Sequence, residues 1–238
     1  MRLYVQFVLS GLLICHGPLL VADPARQYLD LSMGYTRGDF GTGQNTTVSQ
    51  LQMTYGQMQG RYDFSATLPY LFLSDRFGDE HGVGDIILRG GAKLSDDPFA
   101  NNEFYVSLAV KLPSADESKG LGTGEADVGG YITYTHYFNG AQYSLLGGYI
   151  KTGDAANQVY NDVLVYGASI AKMSIPWYFY AGLDGSQQTL DTGDDPLEVS
   201  VGCYYQLKPT VFLKAEGLVG LNDASPDHGV TVGIVNWF

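Results

Sequence analysis

The sequence has few cysteines, few positive charges and, beyond its first 22 residues, no long apolar run. Cysteine occurs only at Cys15 and Cys203, which argues against an internal disulfide or a cysteine-rich metal site once a leader is removed. Lysine and arginine number 13 against 25 acidic residues, for a net charge of −12, and this argues against nucleic acid as a partner. Because no later segment has 18 consecutive apolar residues, we predict no membrane-spanning helix. We expect neither metal nor other cofactor.

The first 22 residues have the features of an export signal. Arg2 precedes an apolar segment from Tyr4 to Val21, and small residues end it at Ala22. The segment is interrupted by His16-Gly17-Pro18 and lacks a basic stop-transfer flank, so a membrane anchor is the less favoured interpretation. We predict cleavage after Ala22, leaving residues 23–238 as a single domain.

Glycine and tyrosine are abundant, with 31 and 18 copies, and apolar residues alternate with polar ones along the whole chain. The segment "EFYVSLAVKL" is the clearest example, with Phe104, Val106 and Leu108 on one face and Glu103 and Lys111 on the other. Twelve such segments of about ten residues each fit strands that cross a bilayer at a tilt. We therefore predict an all-β fold, a transmembrane up-and-down antiparallel β-barrel of about 12 strands. A soluble β-sandwich is the alternative.

The connections between these segments alternate in length, which predicts the sidedness of the barrel. Asn139-Gly140 is a tight hairpin signal, and other short connections occur on the same side. Long connections are expected outside the cell: 37–47, 73–83, 114–126, 152–161, 188–196 and 222–229. The final strand ends on the aromatic residue Phe238, which is typical of barrels that the barrel-assembly machinery inserts into the outer membrane. Outer-membrane lipid and lipopolysaccharide are therefore expected partners.

The glycine-rich stretch "KGLGTGEAD" at 119–127 raises the question of a phosphate-binding loop. Such a loop requires a Lys-Ser/Thr pair and a helix after the glycines, but Glu125 follows and strand alternation resumes at Asp127. We interpret it as an external loop that includes Asp116, Lys119 and Glu125.

Several motifs resemble an outer-membrane family labelled the MetA pathway of phenol degradation. They are "GVGD" at 82–85, "KLP" at 111–113, "KGLGTG" at 119–124 and "SPDHG" at 225–229. Ser114-Ala115-Asp116 departs from the Thr-Gly-Asp that is commoner in that family, and Asn236 stands where an aromatic residue is usual. The resemblance implies a transporter-like barrel that takes up aromatic or other hydrophobic compounds.

If the apolar faces meet lipid, the opposite faces line the interior. The residues predicted to line a channel are Asp85, Arg89, Lys93, Glu103, Tyr105, Lys111, Tyr178, Tyr180, Lys214 and Glu216, and further inward candidates are Asp30, Asp63, Asp184, Glu198, Tyr131 and Tyr204. Lys93 and Glu103 are expected to meet across adjacent strands. These charges have two interpretations: structural salt bridges across the interior, or a ladder that passes small solutes.

The predicted function is an outer-membrane channel or transporter for small solutes, and not an enzyme. One alternative is a lipid-modifying hydrolase, for which His136 is the candidate base, although no nucleophile signature such as G-x-S-x-G accompanies it. A structural or adhesive barrel with no transport role is another.

Overall fold

The computed structural model describes residues 26–40, 43–94, 100–154, 159–189 and 194–238, so the predicted signal at 1–22 lies outside the described residues. Within these ranges, thirteen β-strands form one antiparallel sheet. They are β1 Arg26–Gly38, β2 Thr46–Gln59, β3 Tyr62–Asp75, β4 Gly78–Val83, β5 Ile86–Lys93, β6 Asn102–Leu112, β7 Asp127–Phe138, β8 Ala141–Lys151, β9 Val163–Ser174, β10 Trp177–Ser186, β11 Leu197–Lys208, β12 Val211–Gly220 and β13 Pro226–Trp237. No helix in the described part of the chain is long and apolar enough to cross a membrane.

The sheet closes on itself because its first and last strands pair. Tyr28 of β1 lies opposite Trp237 of β13, and the amide of Gln27 donates to the carbonyl of Phe238 at 3.1 Å. Strands β4 and β5 pair with successive halves of β3 and share one place in the ring. The prediction of a twelve-stranded, up-and-down transmembrane barrel is confirmed, with β4 as one extra strand.

The two ends of the barrel differ in their connections. We call the end that carries the start of β1, the end of β13 and Asn139-Gly140 the turn end. We call the opposite end, where β6 and β7 are joined by residues 113–126, the loop end.

At the loop end, the prediction of a loop over 73–83 was wrong. β3 continues to Asp75 and returns as β4, so this segment is a hairpin that extends the wall. Its residues include Asp75, Asp79 and Glu80. Because both faces of this hairpin are in water, its apolar and polar residues do not alternate. The signal that identifies strands inside a membrane is therefore missing here.

The wall strand breaks between β4 and β5, at Gly84-Asp85. The amide of Gly84 still donates to the carbonyl of Pro69 at 2.9 Å. Ser114 bridges the break, because its Oγ accepts from the amide of Ile86 at 2.9 Å and donates to the carbonyl of Gly84 at 3.1 Å. The break turns Asp85 toward the interior, which matters for the site below.

The outer surface consists of an aliphatic band between two aromatic girdles, as in barrels that sit in a membrane. Exposed side chains of the band include Leu31, Met33, Leu51, Met53, Leu108, Ile132, Leu145, Ile170, Val201 and Val232. The girdle at the turn end includes Tyr62, Phe64, Phe104, Phe138, Tyr143, Trp177 and Phe179, and that at the loop end includes Phe72, Tyr149 and Tyr166.

Part of the interior is apolar, which the sequence did not predict. Leu146 and Ile150 of β8 and Val163 and Val165 of β9 pack with Ala109 and Tyr131 in a buried cluster. Both faces of β8 and β9 carry apolar residues here, so alternation cannot tell inside from outside.

Large tyrosine rings fit inside the barrel because glycines face them on neighbouring strands. Tyr180 lies opposite Gly202 in the β10–β11 register, and a Cβ atom at Gly202 would overlap the Tyr180 ring. Tyr131 has the same relationship with Gly148 on β8. Such pairs place an aromatic ring over the gap that a glycine leaves in a strand.

Candidate solute site inside the barrel

A cavity of about 830 Å³ occupies the half of the interior nearest the turn end. Its lining includes residues of the short turns, such as Asn139 and Pro176, so it opens toward that end. Deeper in the barrel its walls are polar and aromatic, with Arg89 and Thr67 on one side and Tyr204 on another. Twelve strands enclose more space than the eight that side chains alone can fill, which accounts for a cavity of this size.

Three tyrosines of β10 and β11 form one aromatic wall of the cavity. The ring centroids of Tyr178 and Tyr204 lie 6.1 Å apart in an edge-on arrangement, and those of Tyr180 and Tyr204 also lie 6.1 Å apart. The hydroxyl of Tyr180 donates to Oε2 of Glu216 at 2.7 Å. The wall therefore combines ring faces with a carboxylate.

Three carboxylates lie on the same side of the barrel, on the adjacent strands β10, β11 and β12. Asp184 is the direct cross-strand partner of Glu198, and Glu216 lies on the next strand, opposite Gly202. Asp184 is only 8% exposed, and its Oδ1 has no hydrogen-bond partner in the described structure.

The cationic side chains of the cavity differ in their partners. Lys214 pairs with Asp30. Lys93 pairs with Glu103 at 2.7 Å, which confirms the predicted contact between these two. Arg89 keeps a buried Nε without a hydrogen-bond partner among the described residues. One buried donor of this guanidinium is therefore unused.

A second cluster lies toward the loop end and joins three of the sequence motifs described above: "GVGD", "KLP" and the glycine-rich stretch. Lys111 lies 2.7 Å from Oδ2 of Asp127 and 3.6 Å from Oδ2 of Asp85, and its Nζ donates to Oγ1 of Thr123 at 2.8 Å. Asp127 is only 2% exposed, and its Oδ1 accepts from the amide of Gly153 at 2.9 Å. The charge of the buried Lys111 is thus compensated by the carboxylates of Asp85 and Asp127, as burial of a charge requires.

The glycine-rich loop reaches down onto this cluster. Thr123 supplies the hydroxyl to Lys111, and Leu121 is only 2% exposed. Gly120 ends a short 3-10 turn at Glu117–Lys119 with φ of 73°, a left-handed conformation that favours glycine. The loop is therefore anchored into the barrel mouth rather than standing clear of it.

The residues singled out in this loop lie at its outer part. Asp116 caps the 3-10 turn, accepting from the amide and the hydroxyl of Ser118 at 2.9 and 2.6 Å. These hydrogen bonds lower the pKa of the Asp116 carboxyl below its usual value. Lys119 is exposed, and Glu125 is half-buried beside Thr123, whose Oγ1 accepts from the Glu125 amide at 3.3 Å.

Nine of the ten residues predicted to line a channel lie at strand positions that face the interior of the barrel. The tenth, Asp85, lies at the break between β4 and β5 and also faces the interior. Arg89, Lys93, Tyr178, Tyr180, Lys214 and Glu216 line the cavity. Asp85 and Lys111 belong to the cluster at the loop end. Glu103 pairs with Lys93, and Tyr105 donates to both carboxylate oxygens of Asp63, at 2.9 and 2.7 Å.

Sequence reasoning missed two members of the loop-end cluster. The sequence pattern places Thr123 in an external loop and Asp127 at the start of a strand, although both belong to the "GTGEAD" stretch. Their closeness to Lys111 depends on how the loop folds back, which no local pattern reveals.

His136 lies on the outward parity of β7 near the turn end. Its Nδ1 is hydrogen-bonded to Oδ1 of Asn102 at 2.7 Å, and the hydroxyl of Tyr134 donates to the same oxygen. In the described part of the chain, its partner is thus an amide and not a serine or threonine hydroxyl. A nucleophile–base pair needs such a hydroxyl within reach.

The girdled wall and the cavity define a β-barrel of the outer-membrane type. A family model described as "Putative MetA-pathway of phenol degradation" matches residues 27–237, and the chain belongs to this family. The solved structure of the KdgM porin is similar at 7% identity and a TM-score of 0.61, covering 89% of this chain and 99% of that one. The β domain of the Bordetella autotransporter BrkA is similar at 12% identity and a TM-score of 0.51, covering 90% and 99%. At these sequence identities, the two structures show that the fold is shared and nothing further. No match was found among curated proteins.

Proposed function

We propose that the protein is an outer-membrane channel for small solutes, including aromatic or hydrophobic compounds. The observation that carries the proposal is the cavity of about 830 Å³ inside a twelve-stranded barrel, lined by tyrosines and by charged side chains. A cavity of this size holds a drug-sized molecule, and ligand sites combine apolar walls with a few placed polar groups. Membership of the family described above supports aromatic compounds as one solute class.

In this proposal the loop end faces the outside of the cell and the cavity opens to the periplasm, as in outer-membrane barrels with long external loops. Residues 1–22 act as the export signal, residues 23–238 form the mature domain, and the C-terminal strand ending at Phe238 is presented to the barrel-assembly machinery. Lipopolysaccharide surrounds the loop end. Mass spectrometry of protein from an outer-membrane fraction tests the location of the protein and the cleavage site. A mature N-terminus other than Asp23 would contradict the cleavage site.

A solute that enters from the loop end must pass the cluster around Lys111. Thr123 anchors the glycine-rich loop there, so this cluster is the proposed constriction. The charged and tyrosine side chains below it, from Arg89 to Glu216, then form the proposed conduction path. The channel thus has a narrow outer part and a wide inner part.

The test is reconstitution of the mature chain in a planar bilayer. We expect discrete conductance steps, and in liposomes we expect uptake of small aromatic alcohols such as benzyl alcohol. The variant Thr123→Val removes the hydroxyl that Lys111 donates to, and we expect it to change the open conductance. Glu80→Gln, on the exposed hairpin, is the control. Absence of both conductance and uptake would refute the channel.

The hydrolase alternative is tested separately. Purified protein is incubated with phospholipid, with and without the substitution His136→Ala. We expect no turnover, since the described partner of His136 is Asn102. Turnover that depends on His136 would reject the channel-only proposal, and a barrel with neither activity would favour a structural or adhesive role.

A further inference from the structure

The carboxylates of β10–β12 form an arrangement that the barrel itself does not satisfy. Asp184 and Glu198 are direct cross-strand partners, and like charges opposite each other destabilise a sheet. Asp184 is more than nine-tenths buried, and its Oδ1 lacks a partner in the described structure. A buried carboxylate without a partner is costly. Asp184 and Glu198 do not line the cavity, so Glu216 is the carboxylate of the three that a ligand in the cavity can contact.

Among the described residues, no cation forms an ion pair with any of these three carboxylates. The nearest cation along β12 is Lys214, two residues from Glu216 on the same face, and it pairs with Asp30. Lys93 pairs with Glu103 and Lys111 with Asp127. Arg89 lies on β5, five places away from β12 around the ring. The three carboxylates therefore leave a net negative patch on one wall.

The aromatic rings beside this patch indicate what kind of cation fits. Tyr178, Tyr180 and Tyr204 have their ring centroids within 6.1–6.4 Å of one another, and all three line the cavity together with Glu216. Aromatic faces attract organic cations, and clusters of them are used to recognise ammonium groups. In contrast, the described residues contain no group of three or more His, Cys, Asp or Glu placed to hold a metal ion.

Gly202 holds this arrangement together. It lies between Tyr180 on β10 and Glu216 on β12 in the strand register. Because Gly202 has no side chain, the Tyr180 ring crosses over it and its hydroxyl reaches Glu216 at 2.7 Å. One ring face and one carboxylate are thereby fixed relative to each other, as recognition requires.

We propose that the wall of β10–β12 is a binding site for an organic ammonium ion, held by the carboxylate of Glu216 and by the faces of Tyr178, Tyr180 and Tyr204. Asp184 and Glu198 add negative charge from outside the cavity lining. The inference rests on the proposed channel for the ligand's route, but binding itself does not require conduction. A solute carrying both an ammonium group and an aromatic ring would use both components of the wall.

The experiment is isothermal titration calorimetry on the whole protein in detergent, with three probes of similar size: benzyltrimethylammonium, benzyl alcohol and benzoate. We expect benzyltrimethylammonium to bind at least tenfold more tightly than the other two. Glu216→Gln should weaken that binding by tenfold or more, and Tyr204→Leu should also weaken it. Asp184→Asn should weaken it less than Glu216→Gln, because Asp184 does not line the cavity. Glu80→Gln should leave it unchanged.

A second readout separates ligand recognition from a structural role. Without ligand, Asp184→Asn removes a like-charge pair, so its urea unfolding midpoint should be higher than that of the wild type. With benzyltrimethylammonium present, the midpoint should rise less in the variant than in the wild type, because binding to the folded state stabilises in proportion to affinity. A Glu216→Gln variant that binds benzyltrimethylammonium as tightly as the wild type would overturn the proposal.

Other outcomes are equally decisive. Equal affinity for the ammonium and for benzyl alcohol would show that the carboxylates do not recognise charge and would overturn the site. Competition by Mg²⁺ at equal concentration would make it a site for inorganic cations and would also overturn it. Ammonium binding in a protein that fails to conduct would leave the site in place while refuting the channel. Conduction with no ammonium binding would do the reverse.

Discussion

Lys111 and Asp127 form an ion pair 2.7 Å long inside the barrel, although they belong to two different sequence motifs. Asp85, from a third motif, lies 3.6 Å from the same ammonium group, and Thr123 from the glycine-rich loop accepts its hydrogen bond. Three of the four motifs that mark the family therefore meet in space. Their shared role is to fix the loop between β6 and β7 over the mouth of the barrel.

Removal of the central cation should be costly to stability. Lys111→Met leaves Asp127 buried without its partner, and we expect a loss of about 3–5 kcal/mol in the free energy of unfolding. The measurement is urea unfolding in lipid vesicles, followed by circular dichroism. The control is Lys151→Met, because Lys151 is 76% exposed in its pair with Asp162, and such pairs contribute about 0–1 kcal/mol. Equal losses in the two variants would contradict the structural role of the cluster.

The tyrosine–glycine packing predicts a steric effect at Gly202. A Cβ atom there would overlap the ring of Tyr180, so Gly202→Ala should displace the ring and destabilise the barrel by about 1–3 kcal/mol. It should also weaken ammonium binding, because Tyr180 would no longer reach Glu216. Gly147→Ala is a matched control, since nothing lies within 4 Å of a Cβ atom at Gly147. Unchanged stability and binding in Gly202→Ala would show that the ring adapts freely.

The charges inside the barrel predict cation selectivity. Among buried and half-buried inward side chains of the described barrel, carboxylates outnumber cations: Asp30, Asp63, Asp85, Glu103, Asp127, Asp184, Glu198 and Glu216 against Arg26, Arg89, Lys93, Lys111 and Lys214. Rings and patches of carboxylates favour cations in pores. In a KCl gradient, the reversal potential should therefore have the sign of potassium selectivity. Glu216→Gln should reduce its magnitude, and an anion-selective wild type would contradict the prediction.

The loop end carries a carboxyl group with a predictable titration. The hydroxyl of Tyr149 donates to Asp162 at 2.6 Å and the amide of Thr152 donates to it at 3.1 Å. The hydrogen bond from Tyr149 is the main cause that lowers the pKa of Asp162 below 3.8. We expect Tyr149→Phe to raise this pKa toward the ordinary value, as measured by NMR titration of the carboxyl carbon. Tyr143→Phe, at the other end of β8, should leave it unchanged.

The same shift has a consequence for stability against pH. Since the pKa of Asp162 is lower in the folded state, its hydrogen bonds stabilise the fold at pH values above the unfolded pKa of about 3.9. This contribution is lost as the pH falls below about 4 and through the folded pKa. The wild type should therefore lose more stability than Tyr149→Phe between pH 5 and pH 2, and identical pH profiles would contradict the assignment.

The sequence by itself determined the class of fold and the face on which most side chains lie. In β6, apolar and polar residues alternate without interruption, and because a strand exposes opposite faces at successive positions, Glu103, Tyr105 and Lys111 had to share one face. The length of such segments predicted a membrane barrel, because a tilted strand of about ten residues crosses a bilayer. Where both faces are apolar, as at Leu145 and Leu146, the pattern carried no information about the inside.

The tertiary structure decided which inward residues meet. The alternation of apolar and polar residues does not show that the loop carrying Thr123 folds back over Lys111. That contact depends on closure of the barrel and on the break at Gly84-Asp85. Likewise, the register between β10 and β11 places Asp184 opposite Glu198. The registers of β11 with β10 and with β12 place Gly202 between Tyr180 and Glu216. A period of two specifies a face, whereas a site requires the offsets between strands, and these are set by packing around the whole barrel.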